Sequence, residues 1–362
     1  MKKSMIITAL ALASGLTSGA ATAARDYINI VGSSTVYPFS TVVAERFGRA
    51  TQFKTPKVES TGSGGGLKLF CSGVGIQFPD IANASRRIKQ SEVAMCNENG
   101  VTEIVEVLVG FDGIVIGNST EAKQIQFTRK DLFLGLAKYV PNPDGSETTV
   151  ENPYKNWSEV NPALPNRAIE VLGPPPTSGT RDAFVELVME AGCDQIDWVA
   201  DLSKKAKAAA KAGNSAKADE LKNQHKTMCQ TVREDGAFVE TGENDNLIVQ
   251  KLNASPDAFG VFGFSFLDQN IDVIQGSMID GFAPTFESIS DGSYPVSRPL
   301  YFYVKKAHVG VIPGIHEYIK EFTHERAFGE EGYLADKGMI SLDRAARRQT
   351  SQDVSNLKLL QL

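Results

Sequence analysis

Three short segments of this chain place glycine and hydroxyl residues where a strand should hand over to a helix. They are Gly32-Ser33-Ser34-Thr35, Thr61-Gly62-Ser63-Gly64-Gly65-Gly66 and Thr177-Ser178-Gly179-Thr180. A helix N-terminus presents unpaired backbone N–H groups and the positive end of the helix dipole, and Ser or Thr hydroxyls add donors, so each segment can hold an anion. One such turn is common, and taken singly each reads as tight packing with a hydroxyl serving as N-cap. Three together point to convergence on one small oxyanion.

Rival chemistries fail on spacing. A nucleotide-binding loop ends in Gly-Lys-Ser/Thr, whereas this chain has Gly66-Leu67-Lys68-Leu69. The dinucleotide pattern would need glycine at Leu67. No G-x-S-x-G elbow surrounds Ser33, Ser34, Ser63 or Ser178, and the four histidines lie far along the chain from every glycine turn. A serine nucleophile therefore has no evident base, which argues against an enzyme.

Charged partners complete the candidate site. Arg86 follows the strand-like segment Asp80–Ser85, and Arg181 follows the third turn. An Arg fork suits a tetrahedral oxyanion. Arg298, in a proline-flanked strand, reads as structural. Asp112 is a candidate acceptor: phosphate near neutral pH keeps a proton to donate and sulfate does not, so a carboxylate can discriminate between them. The alternative for Asp112 is a turn residue bonding its own backbone.

The elements that must position these groups alternate. Tyr27–Val31 reads as a buried strand, followed by Phe39, Val42, Val43 and Phe47 at helical spacing. Glu103–Val109 and Gly113–Ile116 read as two strands around Phe111-Asp112, and Ile169–Leu172 and Asp257–Phe266 as further strands. Thr128–Asp131 has the form of a capping box. This rhythm predicts an α/β fold with mostly parallel sheets flanked by helices. Residues 203–223, rich in Lys and Ala, read as an inserted helical hairpin turning near Gly213-Asn214.

The length of 362 residues sets an expectation of two domains. Residues 1–23 read as a cleavable secretory signal, with Lys2 and Lys3, an apolar stretch from Met5 to Ala13, and Ala21-Thr22-Ala23 as the cleavage site. No stretch is long enough to span a bilayer. Removing Lys2 and Lys3 from the 37 basic residues leaves 35 against 43 acidic ones, a net −8, which argues against nucleic acid as a partner. For an exported chain an even cysteine count favours disulfides. Of three connectivities, proximity favours Cys71–Cys96 with Cys193–Cys229. No metal site or cofactor is indicated, since no C-x-x-C occurs.

These pieces, in order, resemble a known family. Gly32-Ser-Ser-Thr-Val36, Thr61 to Lys68, Asn83-Ala-Ser-Arg86, Asp112-Gly-Ile-Val115, Ser178-Gly-Thr-Arg-Asp-Ala-Phe184 and Tyr294 to Leu300 resemble motifs of the periplasmic phosphate-binding proteins (PstS type) of bacterial Pst ABC importers. The resemblance implies a two-lobe type II periplasmic-binding fold with two hinge crossings, here near Val109–Ile114 and Gly263–Phe266. Lobe 1 would comprise 24–111 and 266–362, and lobe 2 112–265. It further implies a non-catalytic, monomeric periplasmic receptor that delivers inorganic phosphate to an inner-membrane permease. Thr35, the N–H of Val36, Ser63, Ser178, Gly179 and Thr180 would bind the ion, with Ser34 of the same first turn added. The family places an Asp where this chain has Arg86, and an Arg where it has Pro174. Arg86 is then the expected replacement for the lost charge, with Arg181 beside the third turn, and Asp112 the replacement for the lost acceptor. The alternatives are a same-fold receptor for sulfate, molybdate or a phosphonate, or an exported phosphatase-like or adhesion protein.

Overall fold

Burial on both faces selects strands with near-continuous apolar runs, and the first of these is Asn29–Gly32, whose Ile30 and Val31 are fully enclosed. A computed structural model describes residues 25–242 and 245–361; the expected signal segment 1–23 lies outside them. Asn29–Gly32 pairs in parallel with Lys57–Ser60 on one side and Ile81–Ala84 on the other. Ser297–Lys305 joins antiparallel to Ile81–Ala84, and Ile104–Ser119 pairs antiparallel to it in turn. Helices Tyr37–Ala50 and Ile315–Phe322 cover one face, with Phe47 edge-on to Tyr318 at 5.7 Å. Helix Ser63–Phe70 places Leu67 and Phe70 in a separate cluster with Ala82, Ala84 and Tyr303, beside the Cys71–Cys96 disulfide.

A second core forms around Phe127, Phe133, Trp157, Phe184, Phe259 and Phe262. Its strands are the far half of Ile104–Ser119, then Phe259–Gly263, Val171–Gly173 and Phe238–Glu240. The last three run parallel to one another. Each half is thus an α/β layer with a parallel trio of strands on its outer side, the two antiparallel crossing strands lying between the trios. The Lys/Ala-rich insertion is a hairpin of helices Asp197–Lys211 and Ser215–Gln230, turning at Gly213 with Asn214 as N-cap. The Cys193–Cys229 disulfide closes its base.

Two antiparallel strands carry the chain between the cores. Ile104–Ser119 is one continuous strand rather than the two expected around Phe111-Asp112. Its Val105, Val107 and Val109 lie in the first core and its Ile114, Val115 and Ile116 in the second. The chain returns between Val296, in the second core, and Leu300, in the first. The expected return at Gly263–Phe266 therefore differs from the packing found. The apolar run 257–266 ends as a strand at Gly263 and continues as helix Phe264–Gln269. Strand Ile274–Gly276 then pairs with Gly117–Ser119, which keeps residues 264–296 with the second core. Tyr294 pins this junction by donating its hydroxyl to the Ile114 carbonyl at 2.9 Å.

Candidate functional site

Two glycines bring the first two turns together. Gly32 sits at φ +132°, where a Cβ would fall 2.1 Å from the Asn83 carbonyl oxygen. A Cβ on Gly66 would fall 2.4 Å from the Gly32 Cα, so the second helix rests directly on the strand end. This backbone contact sets Ser33–Thr35 beside Gly62–Gly64. Gly62, the N-cap residue of the second helix, supplies no side-chain cap, which leaves that first turn available to a ligand, whereas at the first helix the Tyr37 N–H is bonded to the Ser33 carbonyl at 3.0 Å and Pro38 has no N–H. Ser63 Oγ accepts the Ser85 N–H at 3.1 Å and lies 3.1 Å from the Ser85 hydroxyl, which ties the second turn to the strand Ile81–Ala84.

A cavity of about 270 Å³ opens there, lined by Ser33, Ser34, Thr35, Gly62, Ser63, Gly64, Ser85, Arg86 and Glu186. That volume falls just below the roughly 300–1,000 Å³ typical of drug-sized ligands, which suits a small ion and its waters. The third turn approaches from the other half: a Cβ on Gly179 would lie 3.9 Å from the Ser34 carbonyl oxygen. Ser178 caps its own helix, accepting the Thr180 N–H at 3.2 Å. Helix Gly179–Phe184 then widens into a π-helical turn, Val185–Glu190, which carries Glu186 to the cavity. The third turn thus abuts the first, while Glu186 alone represents its half of the molecule in the cavity lining, which holds none of Ser178, Gly179 and Thr180.

The charged candidates are distributed differently from the expectation. Arg86 lines the cavity, but its fork is held bidentately by Glu92 at 2.7 and 2.9 Å, and that carboxylate raises its pKa. Arg181 is buried on the opposite side of its helix, over the Phe238 ring, with Nη1 donating to the Pro174 carbonyl at 3.2 Å. Burial lowers its pKa. The Val36 N–H donates to Ser33 Oγ at 3.3 Å, and Val36 is enclosed in the first core. Asp112 is not in the lining. Its Oδ2 accepts the Arg298 Nε–H at 3.3 Å; burial raises its pKa while Arg298 opposes the rise.

Arg298 is the residue that sequence reasoning set aside. It is 6% exposed and reaches three partners: Asp112 through Nε, Glu186 through Nη1 at 2.5 Å, and the Thr35 hydroxyl through Nη2. Thr35 and Glu186 both line the cavity, so the buried guanidinium lies behind two lining side chains without itself reaching the lining. The signal that could have found it is register: Arg298 lies directly opposite Asp112 across the two crossing strands. That pairing cannot be read from the separate segments.

Comparison with known proteins fits this arrangement. The PBP superfamily domain matches residues 17–326. The chain belongs to the PBP superfamily. Among curated relatives, it is 30% identical to the protein SphX of Synechococcus elongatus, over 80% of this chain and 72% of that one. It is 25% identical to the phosphate-binding protein PstS of Staphylococcus saprophyticus, over 86% of this chain and 79% of that one. A crystal structure of a possible phosphate binding protein from Planctomyces limnophilus matches with a TM-score of 0.66 and 25% identity, covering 92% of this chain and 98% of the other. The resemblance to the PstS-type family therefore extends over nearly the whole fold, and both expected disulfide pairs are formed. Among the described residues no helix is long and apolar enough to cross a membrane.

Proposed function

We propose that this protein is a periplasmic, monomeric receptor that clamps inorganic phosphate between its two lobes and delivers it to an inner-membrane ABC permease. The observation that carries the reading is a cavity lined by two hydroxyl- and glycine-rich turns of one lobe, with Gly179 of the third turn abutting Ser34 and Arg298 bonded to the lining residues Thr35 and Glu186. Backbone N–H groups, hydroxyls and one guanidinium fork supply many short donors in a partly desolvated site, as a tetrahedral oxyanion requires. Ser34, Thr35, Ser63, Ser178, Gly179 and Thr180 would contact the ion from the turns, with Arg86 adding positive potential at the rim. A proteolytically mature protein lacking residues 1–23 would be the working form. Turnover is no part of this reading: the chemistry would be capture and release, driven by lobe closure on the anion.

Phosphate is favoured over other oxyanions by two considerations. The relative from Staphylococcus saprophyticus is named as a phosphate-binding protein, and the matching structure as a possible one. The only carboxylate among the described residues of the cavity lining, Glu186, is also an acceptor to which a protonated oxyanion could donate and sulfate could not, whereas Asp112 is turned to Arg298 and lies outside the lining. Calorimetric titration of the mature protein with phosphate, arsenate and sulfate tests the reading. Phosphate should bind, and sulfate in large excess should fail to displace it. Equal competition by sulfate would sink the selectivity, and sustained hydrolysis of a chromogenic phosphate ester would sink the receptor assignment.

A further inference from the structure

Glu186 is an acidic residue in the lining of a cavity built to hold an anion. Its Oε2 takes the Arg298 Nη1–H at 2.5 Å, so a carboxylate already satisfies one of the donors that an incoming oxyanion would use. The two partners differ in freedom. Arg298 is 6% exposed, its guanidinium held by Asp112 and Thr35 and its backbone by the strand pairing. The Glu186 side chain is 63% exposed and makes this ion pair from the π-helical turn. Rotating Glu186 into solvent restores its hydration at little cost, whereas Arg298 has nowhere to go.

We propose that Glu186 is an internal competitor for the anion site: its carboxylate holds Arg298 until a ligand with greater charge and more acceptor oxygens displaces it. This rests on the reading of the cleft as an oxyanion site and adds a rule for which anions enter. A tethered carboxylate competes at an effective concentration of roughly millimolar. A monoanion such as formate or nitrate offers Arg298 no more than Glu186 already does. A tetrahedral polyanion bonds Arg298 and the donors of the turns together, and so can win the exchange. Glu186 belongs to one lobe and Thr35 to the other, so the exchange also replaces a direct bridge across the cleft by one through the ligand.

The test is Glu186→Gln, which keeps the shape and removes the charge, with Glu186→Ala as a second variant. Both substitutions fall on an exposed side chain, and thermal melts would verify folding. Wild type and variants are titrated with phosphate, arsenate, sulfate, nitrate and formate at fixed ionic strength. The expected result is a roughly tenfold tightening for the oxyanion that wild type binds, in both variants, with measurable nitrate or formate binding appearing in them alone. An unchanged or weakened affinity overturns the proposal, since a carboxylate that contacts the ligand favourably would lose binding on removal. If wild type prefers sulfate, the phosphate reading fails, while the direction of the Glu186 effect on sulfate still decides this one. Wild type and variants that bind none of the five anions overturn both.

Discussion

Arg298 and Asp112 face each other across the pair of strands that joins the two cores, with Nε and Oδ2 3.3 Å apart. The pair ties the charge of the site to the register of the crossing. Arg298→Ala should weaken phosphate binding on the order of 100-fold, since a hydrogen bond to a charged group is worth about 1.5–3 kcal/mol and more than one would be lost. Arg298→Lys should recover only part of this, because an ammonium keeps the charge and loses the fork. Isothermal titration of the two variants gives the comparison; a Lys variant with wild-type affinity would refute the geometric role.

Arg86 should matter less. Glu92 already shares its charge, and its side chain remains one-third exposed. Arg86→Ala should weaken phosphate binding by less than roughly tenfold, within the range of partly screened pairs. Glu92→Gln should have the opposite sign, freeing the guanidinium and tightening binding by a small factor. Titration of both variants measures this, and a larger loss for Arg86→Ala than for Arg298→Ala would reverse the ranking.

Gly66 should tolerate no side chain. A Cβ there meets the Gly32 backbone, which is itself fixed against Asn83. Gly66→Ala should destabilise the fold by about 1–3 kcal/mol or more through overpacking. It should also weaken anion binding by parting the first two turns. Thermal melts and phosphate titration on the same sample would read both effects.

Asp245 supplies a pH prediction. It is 4% exposed; Oδ2 accepts the Gly263 N–H at 3.0 Å, and Oδ1 has no partner among the described residues. Burial pushes its pKa up to about 6, against the lowering by the Gly263 N–H. A carboxyl whose folded pKa exceeds its unfolded value opposes folding once it ionises. Its contribution therefore falls as pH rises from about 4 to about 6, by roughly 3 kcal/mol at most. Asp245→Asn should raise the melting temperature at pH 7.5 and change it little at pH 4. Equal shifts at both pH values would rule out ionisation as the cause.

What the sequence disclosed follows from where each signal resides. The three glycine- and hydroxyl-rich strand-to-helix turns, the Thr128 capping box and the hairpin turn at Gly213-Asn214 are local patterns, and local chemistry fixes them. The return crossing near Gly263–Phe266, implied by the resemblance, has no local marker in the sequence, and only the pairing of Ile274–Gly276 with Gly117–Ser119 keeps the following residues in the second core. Arg181 looked like a ligand because it follows the third turn, yet one further residue along a helix rotates a side chain by about 100°, here onto Phe238. Arg298 and Glu186 were missed for a related reason. Each is ordinary in its own segment, and they become a site only when residues 112 positions apart are brought together.

The strand Ser297–Lys305 has its register shift between Leu300 and Tyr301, two residues from Arg298. A rotation about this crossing displaces atoms in proportion to their distance from the pivot, so Arg298 would barely move. The turns on either side would swing away from it. The protein would then open by lifting two jaws from a stationary positive charge, and an arriving anion would find that charge at the same place at every stage of closure.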